Sequence, residues 1–420
     1  MPNPLSRRQL IKLISLGTPF LAGCGLARID PMHVLIRSDR FDSLDDEAQV
    51  LKRGGLYWSE DGRIRVLLVQ GDAYERGYQH GKLLRAEVQE NLGYMHKQML
   101  KKFKSEELFD EAYERMRPFI PDESLQEMHG LAHGSRLPLR TIHHIHALPE
   151  ISEWGGKKRL KGLVKEMMDG TLGTSCSNLS ANFSATSDGR QYVVRILDWG
   201  LHRISRLHEF PLLCVHRPDR GHAFVNVGWI GFVGAVSGMN DQGITLGEMG
   251  YGDPEGETLR GKPMPFLLRE VLQSAANLAD VRSLISGSAG TASFVYLMSD
   301  GKSGEAELYV RDRSRFQVYK PGDLVEDGSE IVPPIKDTVY GGHYNEKMTE
   351  LLSAEHGRLS PESLMREIIP QIAMKSNFQN VIYDPKALRL WVSNAKNAES
   401  RAAEQSYTAF NLAEFLKTHA

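Results

Sequence analysis

The sequence predicts an α+β protein in which two antiparallel sheets are covered by helices. Apolar residues recur at helical spacing between residues 74 and 148, whereas residues 192–392 contain many short runs rich in β-branched and aromatic side chains. Only a few helical patterns interrupt these short runs. Helices and strands segregated along the chain in this way favour α+β over an alternating α/β arrangement.

Composition narrows the class of protein further. The 420 residues are 41% hydrophobic and 25% charged, which is typical of a globular chain and excludes disorder and collagen. Lys and Arg number 51 against 53 Asp and Glu, so the formal charge is -2 and no basic field favours nucleic acid. Three cysteines cannot form the disulfide framework of a small secreted domain.

Residues 1–23 have the pattern of an export signal. Arg7 and Arg8 precede a short apolar run, which is shorter than the roughly 20 residues that a membrane-spanning helix needs. The segment around these arginines resembles the twin-arginine export motif, and Leu-Ala-Gly-Cys ending at Cys24 resembles the bacterial lipobox. We therefore expect Cys24 to be lipidated; the alternative is a buried N-terminal helix with an incidental cysteine.

The expected location follows from this signal. A lipid on Cys24 places the protein in a bacterial cell envelope, attached to the membrane by its anchor. Gly25 rather than Asp follows the cysteine, which in a Gram-negative bacterium favours the periplasmic face of the outer membrane.

The domain is expected to begin after a polar tether, residues 24–62. A strand is predicted at Arg63–Val69, and residues 63–175 are otherwise mostly helical, whereas residues 176–420 are rich in strands. The other predicted helical segments are 106–116, 122–148 with a break at Gly134 and Pro138, 266–276, 278–285, 345–352 and 361–369. The other predicted strands are 192–197, 211–216, 223–227, 232–236, 244–248, 293–298, 305–310, 381–383 and 389–392.

One long helix is predicted from Tyr74 to about Phe103, with Asp72 as its cap. Gly77 and Gly81 lie four residues apart and share a face of this helix. Because glycine lowers helix stability, the pair predicts close approach of a neighbouring backbone.

Cys176 stands where the helical half of the sequence meets the strand-rich half. By itself it could be a small buried residue. However, Arg195 and Asp198 lie in the next predicted strand, where buried charges need a partner or a purpose. Asn240, in a Gly-Met-Asn-Asp-Gln-Gly segment, is either a hairpin-turn residue or an amide donor at a strand end. Cys214, in a predicted strand, is interpreted as a core residue.

Four segments together resemble the isopenicillin-N acyltransferase-like family of N-terminal-nucleophile (Ntn) cysteine hydrolases, relatives of bile-salt hydrolases and acid-ceramidase-like amidases. They are Gly173–Trp199, residues 238–243, Arg-Gly-Tyr-Gln-His-Gly at 76–81 and Glu-Met-His-Gly-Leu-Ala-His-Gly at 127–134. The resemblance covers roughly residues 63–416 and implies a four-layer αββα sandwich.

The resemblance also implies a mechanism. The chain would cleave itself between Ser175 and Cys176, and Cys176 would then supply both the thiol nucleophile and, through its free α-amine, the base. Asp198 would accept a hydrogen bond from that amine, and Arg195 would neutralise Asp198 and lower the pKa of the thiol. Asn240 would donate to the oxyanion, and Trp199 would either line the acyl pocket or be a buried packing residue.

The expected activity is that of a hydrolase or acyltransferase on a linear amide bond of an acylated small molecule, with no cofactor. The two segments would stay associated after cleavage. A papain-type cysteine protease and a non-catalytic ligand-binding lipoprotein remain as alternatives. His143, His144 and His146 are interpreted as surface or packing histidines and no metal site is predicted, because no carboxylate or Cys accompanies them at ligand spacing.

Overall fold

The computed structural model describes residues 44–153, 176–201, 204–250, 258–312, 315–327 and 330–419. The chain divides into Met1–Asp42 and Ser43–Ala420, and the second unit holds all the described residues. The export signal, Cys24 and Ser175 lie outside them. No helix among the described residues is long and apolar enough to cross a membrane.

Helices are concentrated in the first part of the described chain, as predicted. The helices are α1 (Leu44–Arg53), α2 (Ala73–Leu83), α3 (Arg85–Phe103), α4 (Glu107–Met116), α5 (Asp122–Ser135), α6 (Leu139–Glu153), α7 (Met264–Ser274), α8 (Leu278–Ser286), α9 (Asn345–Ala354), α10 (Pro361–Ser363), α11 (Ile369–Ile372) and α12 (Leu412–Thr418). A π-helical turn, Leu364–Ile368, joins α10 to α11.

Strands dominate the second part. The strands are β1 (Gly55–Trp58), β2 (Arg65–Gly71), β3 (Ser177–Ala181), β4 (Tyr192–Asp198), β5 (Pro211–Pro218), β6 (Phe224–Trp229), β7 (Ser237–Asn240), β8 (Ile244–Gly250), β9 (Phe294–Asp300), β10 (Glu305–Arg311), β11 (Phe316–Tyr319), β12 (Val325–Asp327), β13 (Glu330–Val332), β14 (Thr338–Gly342), β15 (Asn377–Asp384), β16 (Arg389–Asn394) and β17 (Thr408–Asn411).

Two large sheets form the centre of the fold, which confirms the predicted α+β class. One has nine strands in the order β1-β2-β5-β6-β7-β8-β9-β10-β11, and the other has six in the order β14-β3-β4-β15-β16-β17. Neighbouring strands in both are antiparallel except β2 and β5, which pair in parallel. Strands β3 and β4 of the smaller sheet contact β8 of the larger one, so the two sheets face each other.

Helices cover the far side of the nine-stranded sheet. Helices α7 and α8 pack on β7, β8 and β9, and α2 packs on β2 and β5. On the six-stranded side, Leu364, Ile368, Ile369 and Ile372 are buried in the same apolar cluster as that sheet's residues. Burial of apolar side chains between these layers is the main stabilising contribution to such a fold.

The predicted close approach of backbones at Gly77 and Gly81 is confirmed. A Cβ on Gly77 would lie 2.0 Å from the Glu127 carbonyl oxygen of α5, and one on Gly81 would lie 2.5 Å from that of Leu131. The single long helix predicted for this region is interrupted, however. Leu84 has non-helical angles, φ -116 and ψ 32, and separates α2 from α3.

The predicted strand at 232–236 is wrong. Gly231 and Gly234 have φ of 94° and 104°, which turns the chain out of an extended path. The Val233 N–H donates to His146 Nε2 at 2.7 Å rather than to a neighbouring strand. The ladder resumes at Ser237–Asn240, where only a turn was expected.

The predicted tether also differs from the structure in its second half. Residues 44–58 form α1 and β1, and β1 extends the nine-stranded sheet by pairing with β2. Glu47 of α1 accepts hydrogen bonds from Tyr78 Oη at 2.5 Å and Lys82 Nζ at 2.7 Å on α2. These contacts form between segments that are distant in sequence. The polar composition of residues 44–58 therefore suggested a tether, although the fold gives these residues partners on α2 and β2.

Candidate active site

Cys176 directly precedes β3, in the layer between the two sheets. Its thiol is 2% exposed. Burial raises the pKa of the Cys176 thiol to about 12, and the nearby Arg195 charge opposes this rise. In the intact chain the sulfur is therefore a neutral thiol at physiological pH, and its activation requires a base.

Arg195 and Glu248 form a buried ion pair beside Cys176. The Arg195 Nη2 donates to Glu248 Oε1 at 2.6 Å, and the two side chains are 1% and 4% exposed. Arg195 lies on β4 and Glu248 on β8, so the pair joins the two sheets. Arg195 Nη1 also donates to the Ile196 carbonyl at 2.6 Å.

This pairing differs from the expected role of Arg195. The guanidinium was expected to neutralise Asp198, but its ion-pair partner is Glu248. Arg195 lowers the pKa of Asp198 only as a nearby charge. Sequence reasoning missed Glu248. This residue ends the predicted strand 244–248, and a carboxylate buried in a strand needs a positively charged partner.

Asp198 ends β4 and lies close to Cys176. Its Oδ1 accepts a hydrogen bond from the Met374 N–H at 3.2 Å. Burial raises the pKa of Asp198 to about 7, against the lowering effect of the Asn377 amide and the Met374 N–H. Its Oδ2 is buried and accepts no hydrogen bond from the described residues. A buried carboxylate oxygen without a donor is costly, which makes it a ready acceptor for an amine formed nearby.

Asn178 is a second polar residue in this layer that sequence reasoning missed. It follows Cys176 by two positions, so strand alternation places both side chains on the same face of β3. Asn178 pairs with Arg195 in the β3–β4 ladder, and neither its Oδ1 nor its Nδ2 is hydrogen-bonded within the described chain. A Cβ on Gly247 would lie 2.3 Å from Asn178 Oδ1, so glycine at that position makes room for the amide.

Asn240 lies in a different environment from the one expected. Its Nδ2 donates to the carbonyl oxygens of Leu272 at 3.0 Å and Ala275 at 2.8 Å, at the C-terminal end of α7. Its Oδ1 accepts from the N–H groups of Gln242 and Ile244. Both amide hydrogens are thus used in capping a helix end, and these contacts do not support donation to an oxyanion at Cys176.

Trp199 directly follows β4 and is 4% exposed. Its backbone N–H donates to the Ser376 carbonyl at 3.2 Å. The structure shows a packed side chain there, and an acyl-pocket role stays a prediction. Cys214 is a buried free cysteine, as expected for a core residue.

The charged groups that most affect the pKa of the Cys176 thiol are Arg195, Glu248 and Asp198, and none of these is a histidine. The sequence also contains three closely spaced histidines on α6, at positions 143, 144 and 146. Of these, His143 stacks on Tyr113 with ring centroids 3.8 Å apart. His146 hydrogen-bonds to Ile142 and Val233. These contacts place both in packing roles, and they do not provide the thiol–imidazole pair of a papain-type site.

No protein-family profile matches the chain. It is similar to an uncharacterized protein of Archaeoglobus fulgidus, with 29% identity over 277 residues, covering 59% of this chain and 43% of that protein. It is also similar to Protein dcd1B of Dictyostelium discoideum, with 23% identity over 377 residues, covering 81% and 71% respectively. The chain therefore spans less than half the length of the archaeal relative.

Similar solved structures have low structural agreement with the chain. A Caenorhabditis elegans ortholog of N-acylethanolamine-hydrolyzing acid amidase has a TM-score of 0.39 and 13% identity, covering 56% of this chain and 100% of that one. A mutant conjugated bile acid hydrolase from Clostridium perfringens has a TM-score of 0.35 and 11% identity, covering 57% and 93%. Penicillin V acylase from Agrobacterium tumefaciens has a TM-score of 0.33 and 13% identity, covering 52% and 83%.

Proposed function

We propose that the chain is a self-processing N-terminal-cysteine hydrolase or acyltransferase that acts on a linear amide bond of an acylated small molecule. One observation carries this proposal. Cys176, the Asp198 Oδ2 that accepts no hydrogen bond from the described residues, and the Arg195–Glu248 ion pair meet in the buried layer between the two sheets. A thiol, a carboxylate that can hold an amine and a fixed positive charge are the groups that such chemistry requires.

Self-cleavage begins when the Cys176 thiol attacks the carbonyl carbon of Ser175. The peptide bond breaks, the acyl group moves to sulfur, and water hydrolyses the resulting thioester to leave a free Cys176 α-amine. A free α-amine has a pKa of about 7.7–8.0, so part of it is unprotonated near neutrality. It can then accept the proton of its own thiol and replace a catalytic histidine.

In turnover, the Cys176 thiolate attacks the substrate carbonyl, the protonated α-amine returns the thiol proton to the substrate nitrogen, and the carbon–nitrogen bond breaks to give a free amine and an acyl-enzyme. Water, or a second nucleophile, then releases the acyl group. Asp198 Oδ2 accepts a hydrogen bond from the α-amine and orients it, and the Arg195 charge stabilises the thiolate. Since Asn240 caps α7, backbone N–H groups are the proposed oxyanion donors.

The two halves of a cleaved chain are proposed to remain together. Strand β2, from the segment before Cys176, pairs in parallel with β5 along seven residue pairs from Arg65↔Leu212 to Gly71↔Pro218. Separation would expose this sheet edge together with the buried faces of α2 and α5, which is strongly unfavourable.

The test is mass spectrometry of the termini in purified, freshly folded protein. The proposal expects a fragment that begins at Cys176 and a second that ends at Ser175, co-eluting on a sizing column until denatured. A single intact chain that nevertheless hydrolyses acyl amides would contradict self-processing. An intact chain without turnover on a panel of acyl amides would favour the ligand-binding lipoprotein instead.

We further propose that the protein is anchored in a bacterial cell envelope through lipidated Cys24, on the basis of the lipobox-like sequence. Cys24→Ala is expected to move the protein from the membrane to the soluble fraction on cell fractionation. Unchanged membrane association of this variant would overturn the anchor and leave the proposed chemistry untouched.

A further inference from the structure

Three helices in the first part of the chain bring together a second group of chemically active side chains. His96 lies on α3, Glu106 directly precedes α4, and His144 lies on α6. One ligand atom from each lies within 4.8 Å of the other two. His96 Nε2 and His144 Nδ1 are 3.0 Å apart. The carboxylate that His144 lacked in sequence is thus supplied by another helix.

Asp110 on α4 fixes the orientation of the His144 ring. His144 Nε2 donates to Asp110 Oδ1 at 2.8 Å. Arg140 donates hydrogen bonds to both oxygens of Asp110, which holds this carboxylate as an acceptor for His144. With the Nε2 proton used in this hydrogen bond, the Nδ1 atom of His144 faces His96 Nε2 and can offer its lone pair. A carboxylate behind a ligating histidine is the usual outer partner in metal sites.

The site combines a buried side with an accessible side. His144 is buried, whereas His96 and Glu106 are half-buried, so part of the site is in contact with solvent. Arg140 Nη1 contacts Glu106 Oε1 at 2.9 Å, and Arg140 Nε donates to Asp110 Oδ1 at 3.0 Å. Arg140 therefore holds both carboxylates in place.

The net charge of the side chains around this site is compatible with a divalent cation. Glu106 and Asp110 carry two negative charges against the single positive charge of Arg140.

We propose that His96, Glu106 and His144 bind one divalent transition-metal cation, with Zn²⁺ as the expected occupant and water in the fourth position. Two imidazoles and one carboxylate suit Zn²⁺, whereas Mg²⁺ and Ca²⁺ prefer oxygen ligands throughout. The bound cation would tie α3, α4 and α6 to one another. This proposal does not depend on the reaction at Cys176.

The experiment uses protein without a histidine tag, stripped of metal by a chelator and then titrated with Zn²⁺ or Co²⁺ alone. It is done in the wild type and in Cys176→Ala, so that binding by the Cys176 thiol or amine is recognised. About one equivalent is expected in both. His96→Ala and Glu106→Gln should each weaken binding by at least about tenfold, and Asp110→Asn, which alters only the outer partner, by about 10- to 100-fold.

His356→Ala is the matched control, because His356 is a partly exposed histidine that hydrogen-bonds to the Lys336 carbonyl and is not one of the three proposed ligands. It should bind like the wild type. Circular dichroism and melting in chelator must show that His96→Ala is folded, and Zn²⁺ should then raise the melting temperature of the wild type but not of this variant. Absence of tight binding in the wild type, or equal binding in all variants, would leave only a His–His–Asp hydrogen-bond chain and overturn the proposal.

Discussion

The two described cysteines, Cys176 and Cys214, have closely similar local environments. Both are buried, and burial raises the pKa of both thiols. Each lies near an Arg–Glu ion pair: Arg195–Glu248 at 2.6 Å for Cys176, and Arg269–Glu127 at 2.8 Å for Cys214.

Their positions in the fold differ. Cys214 lies within β5 and faces Glu127 and Arg269 on helices α5 and α7, whereas Cys176 directly precedes β3 between the two sheets. Only Cys176 has next to it a buried carboxylate oxygen without a hydrogen bond from the described chain. A buried thiol beside an ion pair is therefore insufficient to indicate a nucleophile. The distinguishing feature is the position of Cys176 directly before a strand and close to Asp198. An α-amine formed at Cys176 by self-cleavage would have the Asp198 carboxylate as its hydrogen-bond acceptor.

The largest expected effect separates the two cysteines directly. Cys176→Ala should abolish both self-cleavage and turnover, because the proposed site has no other nucleophile. Cys214→Ala should retain both and lower stability by about 1 kcal/mol. Gel mobility and acyl-amide hydrolysis of the two purified variants are the measurements. Substantial hydrolysis by Cys176→Ala, free of contaminating enzyme, would contradict the mechanism.

The two ion pairs provide the next comparison. Glu248→Gln and Glu127→Gln each leave a buried arginine without its carboxylate, which typically costs about 3–5 kcal/mol. Only Glu248→Gln should also lower kcat for the folded, processed fraction, because only Arg195 lies beside the reacting thiol. Denaturant unfolding and active-site titration measure the two effects separately. Equal kcat in both variants would remove Glu248 from the site's function.

The third expectation concerns pH and the Asp198 carboxyl. Burial raises the pKa of Asp198 from its ordinary value of 3.8 to about 7, so the intact folded chain retains a proton that the unfolded chain releases. Stability should therefore fall as the pH rises from about 4 to about 7 and then level off. Since one pKa unit corresponds to 1.36 kcal/mol, the loss is on the order of a few kcal/mol.

This pH dependence is measured in the uncleaved Cys176→Ala chain, with Cys176→Ala/Asp198→Asn as the matched control. The asparagine removes the titrating group while keeping its shape, so the double variant should be more stable than the single variant at pH 8 and should lose less stability between pH 4 and 8. Parallel melting profiles in the two proteins would show that Asp198 is not the group responsible.

The smallest expected effect is at Asn240, which caps α7. Asn240→Gly removes hydrogen bonds to Leu272 and Ala275 and should lower stability by about 1–3 kcal/mol. Turnover per processed chain should stay close to that of the wild type. The measurements are kcat and melting temperature. A folded, processed variant whose kcat falls by about 10²- to 10³-fold would instead restore the oxyanion role of Asn240.

Local patterns in the sequence were sufficient for several elements. Periodicity predicted the helical first part and most strands, and the glycine pair at 77 and 81 correctly predicted close packing against a neighbouring backbone. These features depend on residues near one another in the chain. The same reasoning failed at residues 232–236, where apolar β-formers suggested a strand but positive φ angles at Gly231 and Gly234 break the extended path.

By itself, the sequence determined the α+β class, the junction at Cys176 and the presence of charged residues in a buried strand. The tertiary structure alone decided which groups meet. Arg195 pairs with Glu248 rather than Asp198, Asn240 caps a helix, and His144 meets His96 and Glu106 from other helices. The physical reason is that a buried charge or amide must find a partner, but the partner's identity depends on which strands and helices the fold brings face to face.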